Sequence, residues 1–133
     1  MFRPFAAAAA PVAIMVALAI TVPAQAAERQ PYTAAALAAA QAKGRPILVE
    51  VKAWWCPVCA SQTRTITATT AAPAYKDLLI LSIDYDKQKA DWQALGAQKQ
   101  STLIGYRGKQ ELGRVIYTTD KAQINALLAK TVG

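Results

Sequence analysis

Beyond residue 26, two strand-like apolar runs, Ile47 to Val51 and Leu78 to Ile83, stand out. Side chains alternate along a strand, so Ile47, Val49 and Val51 share one side of the first run while Leu48, Glu50 and Lys52 share the other. A strand from Ile47 to Lys52 that is apolar at nearly every position predicts a central place in a sheet covered on both faces. Glu50 is then the exception: it is either a partly buried acid, paired or raised in pKa, or a carboxylate near the sheet surface beside Lys52. Upstream, Thr33 can cap a helix from Ala34 to Lys43, in which alanine supplies propensity rather than a strong apolar face. Gly44 stops that helix and Pro46 forces an extended start to the strand. Residues 27 to 32 read as a frayed lead-in.

After the first strand, a helix opens at Cys56 and runs to about Thr65, with Pro57 in its first turn, where the missing N–H costs nothing. Thr65 to Thr70 is rich in β-branched residues, which predicts a kink, an irregular segment or a helix held by packing. Pro73 starts a short turn before Tyr75. The second apolar run is a strand ended by Asp84 to Asp86, and a helix from Lys87 to Leu95 follows. Thr102 to Tyr106 is a third strand, and Gly108 turns the chain back into a fourth over Glu111 to Ile116. Thr119 or Asp120 caps the last helix, where Ile124, Leu127 and Leu128 recur at helical spacing. The expected architecture is α/β: a four-stranded mixed sheet with helices on both faces, its early strands parallel and its last two a hairpin.

The first 26 residues change the picture of what folds. A basic start at Arg3, an apolar run from Pro11 to Val22 and the small residues Ala24-Gln25-Ala26 form the three parts of a cleaved secretory signal. Phe5 to Val22 is nearly long enough to span a bilayer, but no basic stop-transfer cluster follows it. The expected division is therefore a signal over 1–26 and one domain over 27–133, a length that supports a single core. Arg3 is the one charged residue lost, which leaves fourteen Lys and Arg against eight Asp and Glu, a net charge of +6. The cations are spread along the chain, and Lys43/Arg45, Lys87/Lys89 and Arg107/Lys109 are separate pairs with no cluster or aromatic interleaving, so a nucleic-acid partner is not expected. Once processed, the chain is not expected to be membrane-embedded, and the signal implies the periplasm or secretion.

Two cysteines and no histidine limit the chemistry. A four-ligand zinc site from one chain is excluded, as is any Ser/His/Asp arrangement; no cofactor and no resident metal is expected. In Cys56-Pro57-Val58-Cys59 the first sulfur lies at the amino end of a helix, where free N–H groups and the helix dipole favour thiolate, so Cys56 is the expected nucleophile. Cys59, one turn on, is placed to resolve a mixed disulfide. A bridge closing so small a loop adds little stability, which favours exchange over a structural staple. Glu50 is a candidate proton acceptor for Cys59. Trp54 and Trp55 sit in a tight connection; unless both fill core space, one packs on the sheet and the other roofs the dithiol as a platform for a partner peptide.

Over about residues 33 to 130 the chain resembles the thioredoxin superfamily. The stretch from Ala40 to Cys59, with its Ala/Lys-rich helix, Gly44-Arg45-Pro46, acid-bearing apolar strand and Trp55-Cys56-x-x-Cys59, is similar to exported thioredoxin-like domains such as the carboxy-terminal domain of the thiol reductase DsbD. The resemblance implies a thioredoxin-like fold, Cys56 as exposed nucleophile, Cys59 as buried resolving cysteine, Glu50 as the buried acid, and a substrate surface at Trp54, Trp55, Pro57, Ser101 and Thr102. The chain departs from the family pattern in three respects. Ser101 stands where a cis-proline is usual, so Gln100–Ser101 is expected to be trans; Pro57-Val58 replaces Gly-Pro; and no lysine accompanies the acid on the second apolar run, where Leu81 and Ser82 sit instead.

The reading that follows is an exported thiol-disulfide oxidoreductase acting on protein thiols and disulfides, with the reductase direction preferred and a membrane thiol reductase as a candidate electron donor. A non-catalytic binding module on the same scaffold and a cuprous-ion-binding dithiol protein are the alternatives.

Overall fold

The computed structural model describes residues 4, 9–11, 17–21 and 26–133. The expected signal over 1–26 lies for the most part outside the described residues. No helix among the described residues is long and apolar enough to cross a membrane. In chain order the elements are β1 (Glu28–Pro31), α1 (Ala34–Ala42), β2 (Pro46–Lys52), α2 (Pro57–Thr70), a single 3-10 turn (Pro73–Tyr75), β3 (Leu79–Asp84), α3 (Lys89–Ala94), β4 (Thr102–Arg107), β5 (Gln110–Ile116) and α4 (Lys121–Val132).

The strands form one sheet in the order β1-β3-β2-β4-β5, with β2 at its centre as its apolar run predicts. Both partners of β3 run parallel to it, while β2/β4 and β4/β5 are antiparallel. On one face Ile47, Val49 and Val51 join Leu79, Leu81 and Ile83 beneath Leu37 of α1 and Trp92 of α3. On the other, Leu48, Ile80 and Leu103 meet Ile66 of α2 and Ile124, Leu127 and Leu128 of α4. Each fully enclosed Ile or Leu contributes about 1.5–3 kcal/mol over its exposed state, so the two layers together fix how the starts of α2 and β4 approach one another.

One expectation is revised, and of the three courses left open for residues 65–70 the helix held by packing is the one found. The sheet has five strands, because residues 27–32 are not a frayed lead-in: Glu28–Pro31 adds to the edge of β3, and Tyr32 N–H donates to Ser82 O at 2.9 Å. An edge strand needs only one neighbour, so Pro31 and a polar composition are tolerated there. The β-branched run 65–70 completes α2 without a break. Packing holds it: Thr65, Ile66 and Thr70 are buried, Thr70 Oγ1 donates to Ile66 O at 2.8 Å, and Thr69 Oγ1 donates to Asn125 Oδ1 of α4 at 2.7 Å. Gly105 of β4 lets α4 lie close, since a Cβ there would overlap the Thr131 hydroxyl and abut Leu127.

Candidate active site

The apolar strand β2 ends at Lys52, and a turn closed by Cys56 N–H to Ala53 O, 3.2 Å, brings the chain into α2. Cys56 is the N-cap of that helix in extended conformation, and its Sγ accepts the Cys59 N–H at 3.1 Å. Pro57 occupies the first turn and lends the helix start its rigidity. Both thiols are free in this structure. The resemblance implied an exposed Cys56, but Cys56 and Cys59 are 4% and 3% exposed. Ala53, Val58 and Tyr85 pack around them.

The two sulfurs are driven apart in acidity. Burial pushes the Cys56 thiol up, but hydrogen bonds from Cys59, Ser101 and helix-start N–H groups outweigh it and leave Cys56 below the ordinary thiol range. Burial raises Cys59, and its interaction with Cys56 raises it further. Of the two sulfurs, Cys56 is therefore the one that more readily gives up its proton and Cys59 the one that holds it.

Ser101 closes the site from β4. All peptide bonds among the described residues are trans, as expected for Gln100–Ser101. Ser101 has φ +61°, in the left-handed region, and is fully buried. Its N–H donates to Val51 O at 2.8 Å, and its carbonyl accepts from Tyr117 N–H at 2.8 Å and Gln62 Nε2 at 3.1 Å. Its Oγ lies 3.2 Å from Cys56 Sγ and 3.0 Å from Cys59 Sγ. The expected substrate surface at Ser101 and Thr102 is thus turned inward: the Ser101 backbone is already paired, and the buried Thr102 hydroxyl donates to Lys99 O at 2.8 Å.

Behind the dithiol Glu50 is buried, as the first of the two readings of the strand has it. Ser82 Oγ donates to its Oε1, Arg29 of β1 forms an ion pair with the same oxygen, and Lys52 Nζ lies 3.3 Å away. The acid that lacks a lysine on the second apolar run is therefore not unpaired. The cation arrives from β1, which places Arg29 one strand further out on the same face. No hydrogen bond joins Glu50 to Cys59 among the described residues. Lys52 stands closer to that exchange: burial and then Arg29 lower its pKa, and Cys59 draws it back up.

The tryptophans lie outside the core. Trp54 is 91% exposed, and Trp55, half exposed, donates its indole N–H to Asp86 Oδ2 at 2.9 Å while meeting Tyr85 edge-on. Neither packs on the sheet as one was expected to. Trp54 instead borders a cavity of about 650 Å³ that both cysteines line together with Arg29, Lys52 and Gln88.

The comparisons with solved structures place this arrangement. The chain is 44% identical to Trxlp from Edwardsiella tarda EIB202, over 76% of this chain and 98% of that one, with a TM-score of 0.73. It belongs to the thioredoxin superfamily. Thioredoxin Mala s 13 from Malassezia sympodialis (15% identity, 82% of this chain and 94% of that one, TM-score 0.71) and thioredoxin NaTrxh from Nicotiana alata (21%, 80% and 93%, TM-score 0.68) share its fold. No family profile and no curated protein matches the chain.

On this thioredoxin fold, a Cys-x-x-Cys pair at the start of α2 supports a redox-active role. Two thiols and the Ser101 hydroxyl are the donors a soft metal ion would meet, and no cluster of three or more Cys, Asp or Glu side chains suited to a metal occurs among the described residues. Two residues that brace the site, Arg29 and Gln62, carry no sequence signal near the cysteines. Arg29 lies in a strand without an apolar residue to mark it, and Gln62, buried on α2, holds the carbonyls of Ser101 and Thr118. A glutamine on the inward face of an otherwise apolar and hydroxylic helix stripe was the one available hint of Gln62.

Proposed function

We propose that this protein is an exported thiol-disulfide oxidoreductase that exchanges disulfides with protein substrates through Cys56 and Cys59. The observation that carries the reading is the Cys56 sulfur at the helix cap, accepting the Cys59 N–H at 3.1 Å beside a cavity that both sulfurs line. A helix N-terminus stabilises the attacking thiolate, and a thiol held above its ordinary pKa waits one turn away to resolve the mixed disulfide. Cys56 is the nucleophile, Cys59 the resolving cysteine, and Glu50 acts on Cys59 through Lys52 and water rather than by direct contact. Trp54, Trp55 and Pro57 form the surface a partner meets. Export to the periplasm or beyond rests on the leader pattern of residues 1–26, and the likeness to DsbD-type domains on residues 40–59.

Insulin reduction with a supplied thiol tests the activity. The wild-type protein accelerates it and Cys56→Ser abolishes the acceleration; a rate indifferent to that change rejects the reading. The reductase direction, with electrons drawn from a membrane thiol reductase, predicts a reduction potential near the thioredoxin end, about −270 mV, and a value near about −120 mV assigns the protein to oxidation instead. Mass spectrometry of protein recovered from the periplasm tests export: the mature chain begins at Ala27. The exposure of Trp54 favours one second reading, a binding module with little turnover. It requires that a partner still associates with the Cys56→Ser/Cys59→Ser double variant.

A further inference from the structure

We propose that the Ser101 hydroxyl is a catalytic group of the dithiol, donating its single proton to whichever of the two sulfurs carries the negative charge. The proposal rests on the thiol-exchange reading above and names the group that serves each anion in turn. Its basis is geometric: one Oγ lies within hydrogen-bond reach of both sulfurs, 3.2 Å from Cys56 and 3.0 Å from Cys59. A hydroxyl has one proton to give and two lone pairs. The bridge is strongest when one sulfur is anionic and the other protonated, Cys59 S–H to Ser101 Oγ and Ser101 O–H to Cys56 S⁻, because a thiolate accepts far better than a thiol.

The backbone strengthens the assignment. Ser101 holds φ +61°, a conformation that glycine adopts freely and other residues rarely do. The hydrogen bonds to Val51, Tyr117 and Gln62 fix it there. A residue chosen for the turn alone would be glycine; serine keeps an Oγ aimed at the sulfurs in spite of the turn. The other charged and titratable groups around the dithiol are Lys52 of β2, Arg29 of β1, Asp84 of β3 and the Tyr85 phenol, with Glu50 behind Lys52 and Arg29. None of them is hydrogen-bonded to either sulfur among the described residues.

The steps balance as follows. The Cys56 thiolate attacks a partner disulfide R–S–S–R′; the Cys56–S–R bond forms, the partner S–S bond breaks and R′S⁻ leaves with the electron pair. Cys56 is now uncharged and makes no claim on the hydroxyl proton. The Cys59 proton passes to R′S⁻ directly or through water, and the Ser101 O–H rotates about its C–O bond to donate to the Cys59 thiolate. Cys59 attacks Cys56 Sγ, forming the Cys56–Cys59 bond and expelling RS⁻, which takes a proton from solvent. Two cysteines are oxidised, and the partner receives the two electrons as two thiols.

Two variants separate the hydroxyl from the strain. Ser101→Gly removes the hydroxyl and relaxes the left-handed backbone, whereas Ser101→Ala removes the hydroxyl and keeps the strain. The thiolate titration of Cys56, followed by ultraviolet absorbance and by alkylation rate against pH, needs no partner and so reads the proposal separately from insulin reduction. In both variants the Cys56 pKa rises by about one unit. Alkylation below that pKa slows by about threefold, because a tenfold loss of thiolate is partly offset by the greater nucleophilicity of a more basic sulfur. In a single turnover with an aromatic disulfide, the mixed disulfide on Cys56 persists longer in both variants than in the wild type. An unchanged titration in both variants overturns the proposal, as does a shift in Ser101→Ala that is absent in Ser101→Gly. If the titration shifts as expected but the wild type fails to reduce insulin, the thiol-exchange reading falls while Ser101 stands as the thiolate donor.

Discussion

Removing the Arg29 guanidinium would leave the Glu50 carboxylate, 2% exposed, to Ser82 and a half-buried Lys52. Stranding a buried charge costs several kcal/mol when no partner remains; with two partners left, Arg29→Met is expected to lower stability by about 2 kcal/mol in urea unfolding. Adding Glu50→Gln to that variant should recover part of the loss, because the uncompensated charge is what costs. Lys52→Gln acts on the chemistry instead: it removes the cation beside Cys59, so resolution slows while the first attack by Cys56 is spared, which a stopped-flow measurement of mixed-disulfide decay would read. At this scale the sequence is informative where partners are neighbours. Cys56, Cys59 and Glu50 are legible because one strand, one turn and one helix start hold them within ten residues. Arg29 reaches Glu50 across 21 positions and Gln62 reaches Ser101 across 39, and no local pattern encodes either meeting.

The elements follow the same logic. Strands β2 and β3 are evident from continuous apolar runs, α1 from Thr33 and Gly44, and the hairpin from Gly108, because each carries its own signal. Strand β1 carries none: four residues, polar or proline, exist as a strand only because the β3 edge offers them backbone partners. The second half of α2 is equally dependent, since it stays helical by burying Thr65, Ile66 and Thr70 and by the Thr69 bond to Asn125 of α4. Between α4 and β4 the contact is set by an absent side chain. Gly105→Ala is expected to destabilise the fold by about 1–3 kcal/mol, because a methyl group there must displace Thr131 or Leu127 from a closed core. Thermal unfolding would show it, and combining it with Thr131→Ser should not help, since the hydroxyl oxygen remains.

For the molecule as a whole, the two thiols tie stability to pH in opposite senses. Cys56 is depressed in the folded protein, so between its folded pKa and the ordinary thiol value the unfolded chain binds more protons and stability rises with pH. Cys59 is raised, so between the ordinary value and its folded pKa the folded protein binds more protons and stability falls. The reduced protein is expected to gain stability relative to the oxidised one as pH climbs toward the ordinary thiol pKa, and to lose it above. Melting temperatures of the two redox forms, compared across that range, would show a maximum in their difference; a flat difference would contradict the assigned shifts.

Strand β1 has a single neighbour, so its hydrogen bonds are among the first in the sheet to open under native conditions. Each opening carries Arg29 away from Glu50 and frees one wall of the cavity beside the cysteines. Fraying at the margin of the sheet thus becomes a clock for the dielectric surroundings of the dithiol. The amide of Tyr32, donating to Ser82, is its natural hand: its exchange with deuterium should quicken in Arg29→Met, in step with the exposure of Glu50 to water.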